Sequence, residues 1–268
     1  MKGPSSARRW WKRHLSSTEI TISGIVIGII AAAGVAVIME SVGRDRVSPI
    51  PDFGAIENTQ ERKDAFFGYL LPLINQQNGE LMEQRARILE CQEKVESGES
   101  LSSRDRRWLI ELKTSYRFDE SEPEDEDFFK NLLSRVDAIP PSLALAQAAN
   151  ESGWGTSRFA REGNNFYGIW CYTPGCGIVP KRRPAGATYE VTRYKSPAES
   201  VAAYFRALNT GDAYLPLRRI RAQLRTQGRP IGGVRLADGL EKYSERGMSY
   251  VRDIQALIQS NNLGRLDV

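Results

Sequence analysis

The stretch Ile20 to Met39, ITISGIVIGIIAAAGVAVIM, contains no charged residue. As a helix rising about 1.5 Å per residue it reaches roughly 30 Å, the thickness of a bilayer's hydrocarbon core. No small-x-small cleavage signal follows Met39, so the segment reads as an uncleaved transmembrane anchor rather than a signal peptide. Lys2, Arg8, Arg9, Lys12 and Arg13 precede it, and Arg44 and Arg46, offset by Asp45, follow it. The bias of basic residues toward the cytoplasmic side assigns residues 1–19 to the cytoplasm and residues 20–39 to an inner membrane. Everything after the anchor is then expected outside, which in a Gram-negative cell is the periplasm.

Residues 40–60 include VSPIPDFG and read as an extended linker. From Glu61 apolar residues recur at helical spacing, with Phe66, Phe67, Leu70, Leu73 and Ile74 on one face and Pro72 as an expected kink or break. A further helix bears Trp108, Leu109, Leu112 and Tyr116, with Ser102 or Ser103 as its cap. DESEPEDED, residues 119–127, places seven acids in nine residues and lacks the glycine turn and ligand spacing of a calcium loop. It reads as a solvated acidic loop closing a helical segment, 61–127, before a separate domain, 128–268. Net formal charge follows the same division: +4 over 1–50, −9 over 51–127 and +9 over 128–268. The basic part suits a polyanionic or wall-like partner. Nucleic acid is not expected, because no recognition motif with interleaved aromatics accompanies the charge.

Within 128–268, Pro140-Pro141 breaks one helix and Ser142 is placed to cap the next, Leu143 to Glu151. SPAE, Ser196 to Glu199, is a capping box with proline at the first helical position. Only Gly177 to Tyr194 alternates as strands do, on either side of a basic turn, KRRPAG. The fold class is therefore mainly α, with one small β-hairpin lobe. Cys171 and Cys176 bracket YTPG and are read either as a short disulfide or as two buried thiols. Two cysteines without neighbouring ligands make no zinc site. The single histidine, His14, adjoins the anchor, so neither a Ser-His-Asp triad nor a histidine metal cluster can be assembled in the C-terminal part.

The chemistry points to ALAQAANESGWG, Ala144 to Gly155, where a helix of small residues runs into Ser-Gly-Trp-Gly directly after Glu151. A carboxylate at a helix C-terminus meets the negative end of the macrodipole, and Trp154 offers an apolar wall. Both disfavour the charged form, which suits a proton donor to a glycosidic oxygen. The same residues are also what a surface glutamate before a helix stop looks like. Asn164, Asn165, Phe166 and Tyr167 follow, a mixture of amides and aromatics that suits sugar hydroxyls, acetamido groups and ring faces, or equally a turn with core aromatics.

ESGWGTSRFAREGNNFYGIW resembles the core of the glucosaminidase family of peptidoglycan hydrolases, glycoside hydrolase family 73. GATYEVTRYKSPAESVAAYFRAL and GLEKYSERGMSYVRDI resemble its hairpin lobe and closing segment, in the family's order. The resemblance covers about residues 128–262. It implies a lysozyme-like helical domain hydrolysing the β-1,4 bond after N-acetylglucosamine in glycan strands, without metal or cofactor. It also implies roles: Glu151 as the general acid, Glu190 as the second, lobe-borne carboxylate, and Tyr243 as the tyrosine facing the cleft. Trp154, Asn164, Asn165, Phe166 and Tyr167 are the expected sugar contacts. Glu199 is read as a capping residue and Tyr250 as a packing residue. The hairpin after Glu190 is shorter than the family often shows. The partners expected are glycan strands and the inner membrane. Two other readings share this sequence: a muramidase or lytic transglycosylase with one dominant glutamate, and an anchored wall-binding module without turnover.

Overall fold

The structure, a computed structural model, describes residues 49–118, 122–123 and 125–267. The apolar stretch 20–39 lies outside the described residues. Among those described, no helix is long and apolar enough to cross a membrane.

From Ile50 onward the chain forms one compact unit. The boundary expected at residues 119–127 is thereby corrected, and so is the extended linker from residue 50 to residue 60; its residues 40–48 lie outside the described residues. Phe53, in a 3-10 turn Phe53–Ala55, is 1% exposed and packs on Phe66 and Tyr69. Helix α1, Thr59–Glu96, starts at Asn58, whose side chain accepts from the Gln60 and Glu61 amides. It runs unbroken through Pro72. An interior proline removes one helical hydrogen bond and crowds the preceding turn. Here Phe66, Leu70, Ile74, Leu81 and Ile88 form a buried stripe along the helix, and their packing outweighs that cost. Through this stripe the whole 61–96 stretch belongs to the same core as the residues after 127.

Helix α2, Ser103–Ser115, and helix α3, Glu126–Arg135, follow, and α3 packs on α1. Next comes α4, Pro141–Ser152, the central helix: every residue from Ser142 to Ala149 is buried. Its alanines let neighbours approach closely, and α1 lies against it. Helix α5, Arg158–Gly163, leads to three short strands, β1 Trp170–Cys171, β2 Gly177–Ile178 and β3 Glu190–Thr192. They pair antiparallel in the order β1-β3-β2, with Trp170 opposite Val191 and Ile178 opposite Val191 on the other side. The lobe is thus a three-stranded sheet rather than a lone hairpin. Its first strand, only two residues long, has too little alternation to be read from sequence. Cys171 and Cys176 are joined in a disulfide within it.

The remaining helices are α6 Pro197–Thr210, α7 Leu215–Thr226, α8 Gly233–Leu236 and α9 Met248–Ser260. Helix α6 begins in the expected capping box: Ser196 Oγ accepts from the Glu199 amide, and Glu199 Oε2 accepts from the Lys195 amide. Helix α9 packs along α4. The start of α4 is capped from far away, and not by Ser142 as expected. Asp267 accepts from the Ser142 amide at 2.9 Å, from Ser142 Oγ at 2.5 Å and from the Gly233 amide at 2.9 Å. A carboxylate there meets both the unsatisfied amides and the positive end of the helix dipole.

One buried carboxylate ties three parts of the unit together. Asp137, 2% exposed, lies within 3.5 Å of Arg85 from α1 and accepts from Arg225 of α7 at 2.7 Å. The fully buried Arg221 stands 3.7 Å away and also donates to the carbonyls of Ser134, Asp137 and Ala138. Burial alone would push the Asp137 carboxyl up. The Arg225 hydrogen bond and the charges of Arg221 and Arg85 outweigh it and hold the group below the ordinary carboxylate range.

Candidate active site

Glu151 sits in the last turn of α4, and the backbone that follows explains the sequence Ser-Gly-Trp-Gly. Gly153, Trp154 and Gly155 all have positive φ, at 55°, 59° and 77°. Two glycines take this conformation freely; a tryptophan does so only where its surroundings compel it. The Trp154 ring is held edge-on by Phe66 and Phe67, with the Lys63 ammonium over its face. Gly155 lies against the Phe53 ring so closely that a Cβ there would be driven into it. The turn therefore clamps the end of α4 onto α1. Trp154, expected as a sugar contact, packs its ring on that helix as a clamp and stays partly exposed.

The carboxylate itself has two different sides. Oε1 accepts from the Tyr250 hydroxyl at 2.8 Å and from Asn150 Nδ2 at 3.1 Å. Behind Tyr250 the bonds continue: Gln147 Nε2 donates to the Tyr250 oxygen at 2.9 Å, and the Tyr204 hydroxyl donates to Gln147 Oε1 at 2.7 Å. Every donor in this chain points toward Glu151, so each bond polarises the next. Gln147, Tyr204 and Tyr250 are each no more than 1% exposed. Burial, with the Glu151 charge behind it, pushes the Tyr250 phenol far up, so it remains a donor throughout the physiological range. Glu151 Oε2 has no hydrogen-bond partner among the described residues. It faces Gly168, where a Cβ would stand 3.5 Å away and where φ is +66°. A side chain at 168 would be strained by that φ, and its Cβ would come into van der Waals contact with the free oxygen.

Tyr250, read from sequence as packing, is thus the residue that fixes the carboxylate. Ninety-nine positions separate it from Glu151, and no local pattern marks the pairing. Tyr243 reaches the same cluster differently. Its ring stacks on Tyr250 at 5.4 Å, and its hydroxyl donates to the Tyr167 carbonyl at 3.0 Å. Burial also raises the Tyr243 phenol well above its usual value. It braces Tyr250 and the Tyr167–Gly168 turn.

The expected sugar contacts after Asn164 are corrected by burial. Asn165 is 1% exposed and fully engaged: Nδ2 donates to the carbonyls of Ile169 and Thr192, and Oδ1 accepts from the amides of Tyr167 and Ile169. It fastens the turn to β3. Phe166 is fully buried against Phe66. Tyr167 is stacked on Tyr204 at 4.0 Å, and its buried hydroxyl has no partner among the described residues. These three leave no surface for a ligand and instead build the wall behind Gly168. Asn164 caps α5 at φ 53° and donates Nδ2 to the Tyr194 carbonyl, retaining its amide oxygen and partial exposure.

Glu190 is not the free lobe carboxylate expected. It is 6% exposed, and its two oxygens accept from the amides of Gly175 at 3.0 Å and Gly177 at 2.8 Å. Those backbone bonds hold its carboxyl below the ordinary range. Both oxygens are committed to the disulfide turn, so in this conformation Glu190 is a brace. The same residue, with Cys171 and Cys176, forms the one grouping among the described residues close enough to suggest a metal. Its two sulfurs are bonded to each other and have no thiolate to offer.

The sequence profile of the glucosaminidase family, described as mannosyl-glycoprotein endo-beta-N-acetylglucosaminidase, matches residues 127–263. This chain belongs to the glucosaminidase family of glycoside hydrolases, family 73. It is a glycoside hydrolase, which sets aside the reading of a wall-binding module without turnover. Protein bax of Escherichia coli (strain K12) is 33% identical over 214 residues, covering 80% of this chain and 75% of that protein. That likeness is longer than the family match, so it takes in part of the chain before α3 as well. Among solved structures, the catalytic domain of the autolysin Auto from Listeria monocytogenes is similar over 80% of this chain and 92% of its own chain, with a TM-score of 0.42 and 16% identity.

Proposed function

We propose that this glucosaminidase is a peptidoglycan hydrolase that cleaves the β-1,4 bond after N-acetylglucosamine, with Glu151 as general acid. The observation that carries the reading is the asymmetry of that carboxylate: Oε1 fixed by Tyr250 and Asn150, Oε2 bare beside Gly168. A general acid needs its proton held on a defined atom at the mouth of a site. In this reading Glu151 delivers that proton to the leaving glycosidic oxygen while positive charge develops on the sugar ring, and water completes hydrolysis. Tyr250 positions Glu151, and Tyr243 positions Tyr250. Asn164, with its spare amide oxygen, is the remaining candidate for a sugar contact from the NNFYG stretch. Glu190 serves as the second carboxylate only if Gly175 and Gly177 release it.

The proposal extends to location. Residues 20–39 anchor the chain in an inner membrane with the N-terminus in the cytoplasm, and residues 50–268 act in the periplasm. The Cys171–Cys176 disulfide supports this, since such bonds persist in oxidising compartments.

One observation favours a second reading. With both Glu190 oxygens engaged, Glu151 stands as a lone catalytic carboxylate, which is also the arrangement expected of a lytic transglycosylase. The chemistry of the new ends separates the two. Purified peptidoglycan is digested with the protein and the fragments are analysed by mass. N-acetylglucosamine at the reducing end supports the proposal; anhydro-muramyl ends replace it with the second reading.

A further inference from the structure

Trp170 is 50% exposed, on a lobe where burying an indole would be favourable. It is nonetheless held rigidly. Tyr189 stacks on it with ring centroids 4.3 Å apart and planes within 9°, so one face is covered while half of the residue stays open to solvent. The mounting is braced on both sides. Cys171, the next residue, is fixed by the disulfide, and opposite it Glu190 binds the Gly175 and Gly177 amides. Arg183 donates to the carbonyls of Thr188 and Tyr189, which orders the loop that carries Tyr189. A ring fixed before its ligand arrives loses little entropy on binding.

Its place in the chain says what that ligand is. A Cβ on Gly168 would stand 3.5 Å from Glu151 Oε2, and Trp170 comes two residues later, at most about 7 Å along the backbone. The exposed ring is therefore mounted on the chain segment that runs past Glu151. A single stacked pair is far too small for a stable protein interface, which needs roughly 800 Å² from each partner. It matches the apolar C–H face of one sugar ring, whose slightly positive hydrogens meet the negative face of the π-system.

We propose that Trp170, backed by Tyr189, is a saccharide-binding platform that seats a neighbouring sugar of the glycan strand while the scissile bond lies at Glu151. The inference rests on the glycan-cleaving reading of Glu151 and adds a subsite to it. Trp170 sets where the strand lies; it does not take part in proton transfer.

The test uses the full chain carrying Glu151→Gln, so that ligand binds without turnover, titrated with oligomers of N-acetylglucosamine by calorimetry. Adding Trp170→Ala weakens binding on the order of tenfold, and Trp170→Phe holds it within about threefold. Tyr172→Ala, at the more exposed but unstacked Tyr172, leaves it unchanged. In the otherwise wild-type chain, Trp170→Ala raises KM with little change in kcat. Equal affinity of the Trp170→Ala protein and its parent overturns the platform, as does a parent that binds no oligomer. If the protein cleaves no glycan yet Trp170→Ala still loses binding, the hydrolytic reading falls and the platform stands. If glycan is cleaved and Trp170→Ala moves neither KM nor binding, the reverse holds.

Discussion

Replacing Tyr250 by phenylalanine deletes one oxygen from the centre of the site and little else. The ring keeps its stack on Tyr243 and its place in the core, while two hydrogen bonds disappear, 2.8 Å to Glu151 and 2.9 Å from Gln147. The two losses act on different observables. Gln147 is fully buried, so its Nε2 is left without a partner, at a cost of about 1–3 kcal/mol in stability. In a domain of this size that lowers Tm by roughly 2–10 °C. Glu151 is partly exposed, and water replaces the lost donor there. Its cost appears in the transition state: a bond to a charged group is worth about 1.5–3 kcal/mol, or roughly 10–100-fold in kcat, with KM nearly unchanged. Turbidity clearing of peptidoglycan suspensions gives the rate, and calorimetry gives Tm. A Tyr250→Phe protein with kcat within about twofold of wild type, despite the fall in Tm, would show that Tyr250 only packs, and would refute its positioning role.

Asp137→Asn leaves Arg221 buried without its counter-charge and costs about 3–5 kcal/mol in chemical denaturation. Because the Asp137 carboxyl is held low in the folded state, its contribution is complete above the ordinary carboxylate range. It is lost as pH falls through the lowered value, and the Asn variant loses that part of the acid dependence. Asp267→Ala uncaps α4 and costs about 1–2 kcal/mol, read in the same assay. Glu190 is likewise held low, so the amides of Gly175 and Gly177 are protected from exchange at neutral pH. They lose that protection only below the usual carboxylate range; Glu190→Gln removes the pH step.

What the sequence revealed is what is local. The helix stop after Glu151, the capping box at Ser196, and the pairing of the segments around KRRPAG depend on neighbours a few residues apart, and each is found. Pro72 misled because a local rule was applied where packing of Phe66, Leu70 and Ile74 decides. The acidic stretch misled in the same way: charge composition marks solvent exposure, and the core passes around it through α1. The site divides along the same line. Glu151 was legible as a carboxylate at a helix end, whereas Gly168 stood in NNFYG with no role assigned to it. Asn165, Phe166 and Tyr167 had the composition of a sugar site, but burial depends on which face of the turn meets α1 and α6. Tyr250 and Asp267 act across 99 and 125 positions, and nothing in their own surroundings announces a partner.

The central claim is that the open oxygen of Glu151 carries the proton. Its most direct test compares wild type with Glu151→Gln on purified peptidoglycan, with Tm measured for both. The amide is isosteric and leaves α4 intact, so the account predicts an unchanged fold and a loss of fragment release on the order of a thousandfold, the middle of the range that general acid catalysis contributes. A folded Glu151→Gln protein that releases the same fragments at a rate near wild type would contradict it.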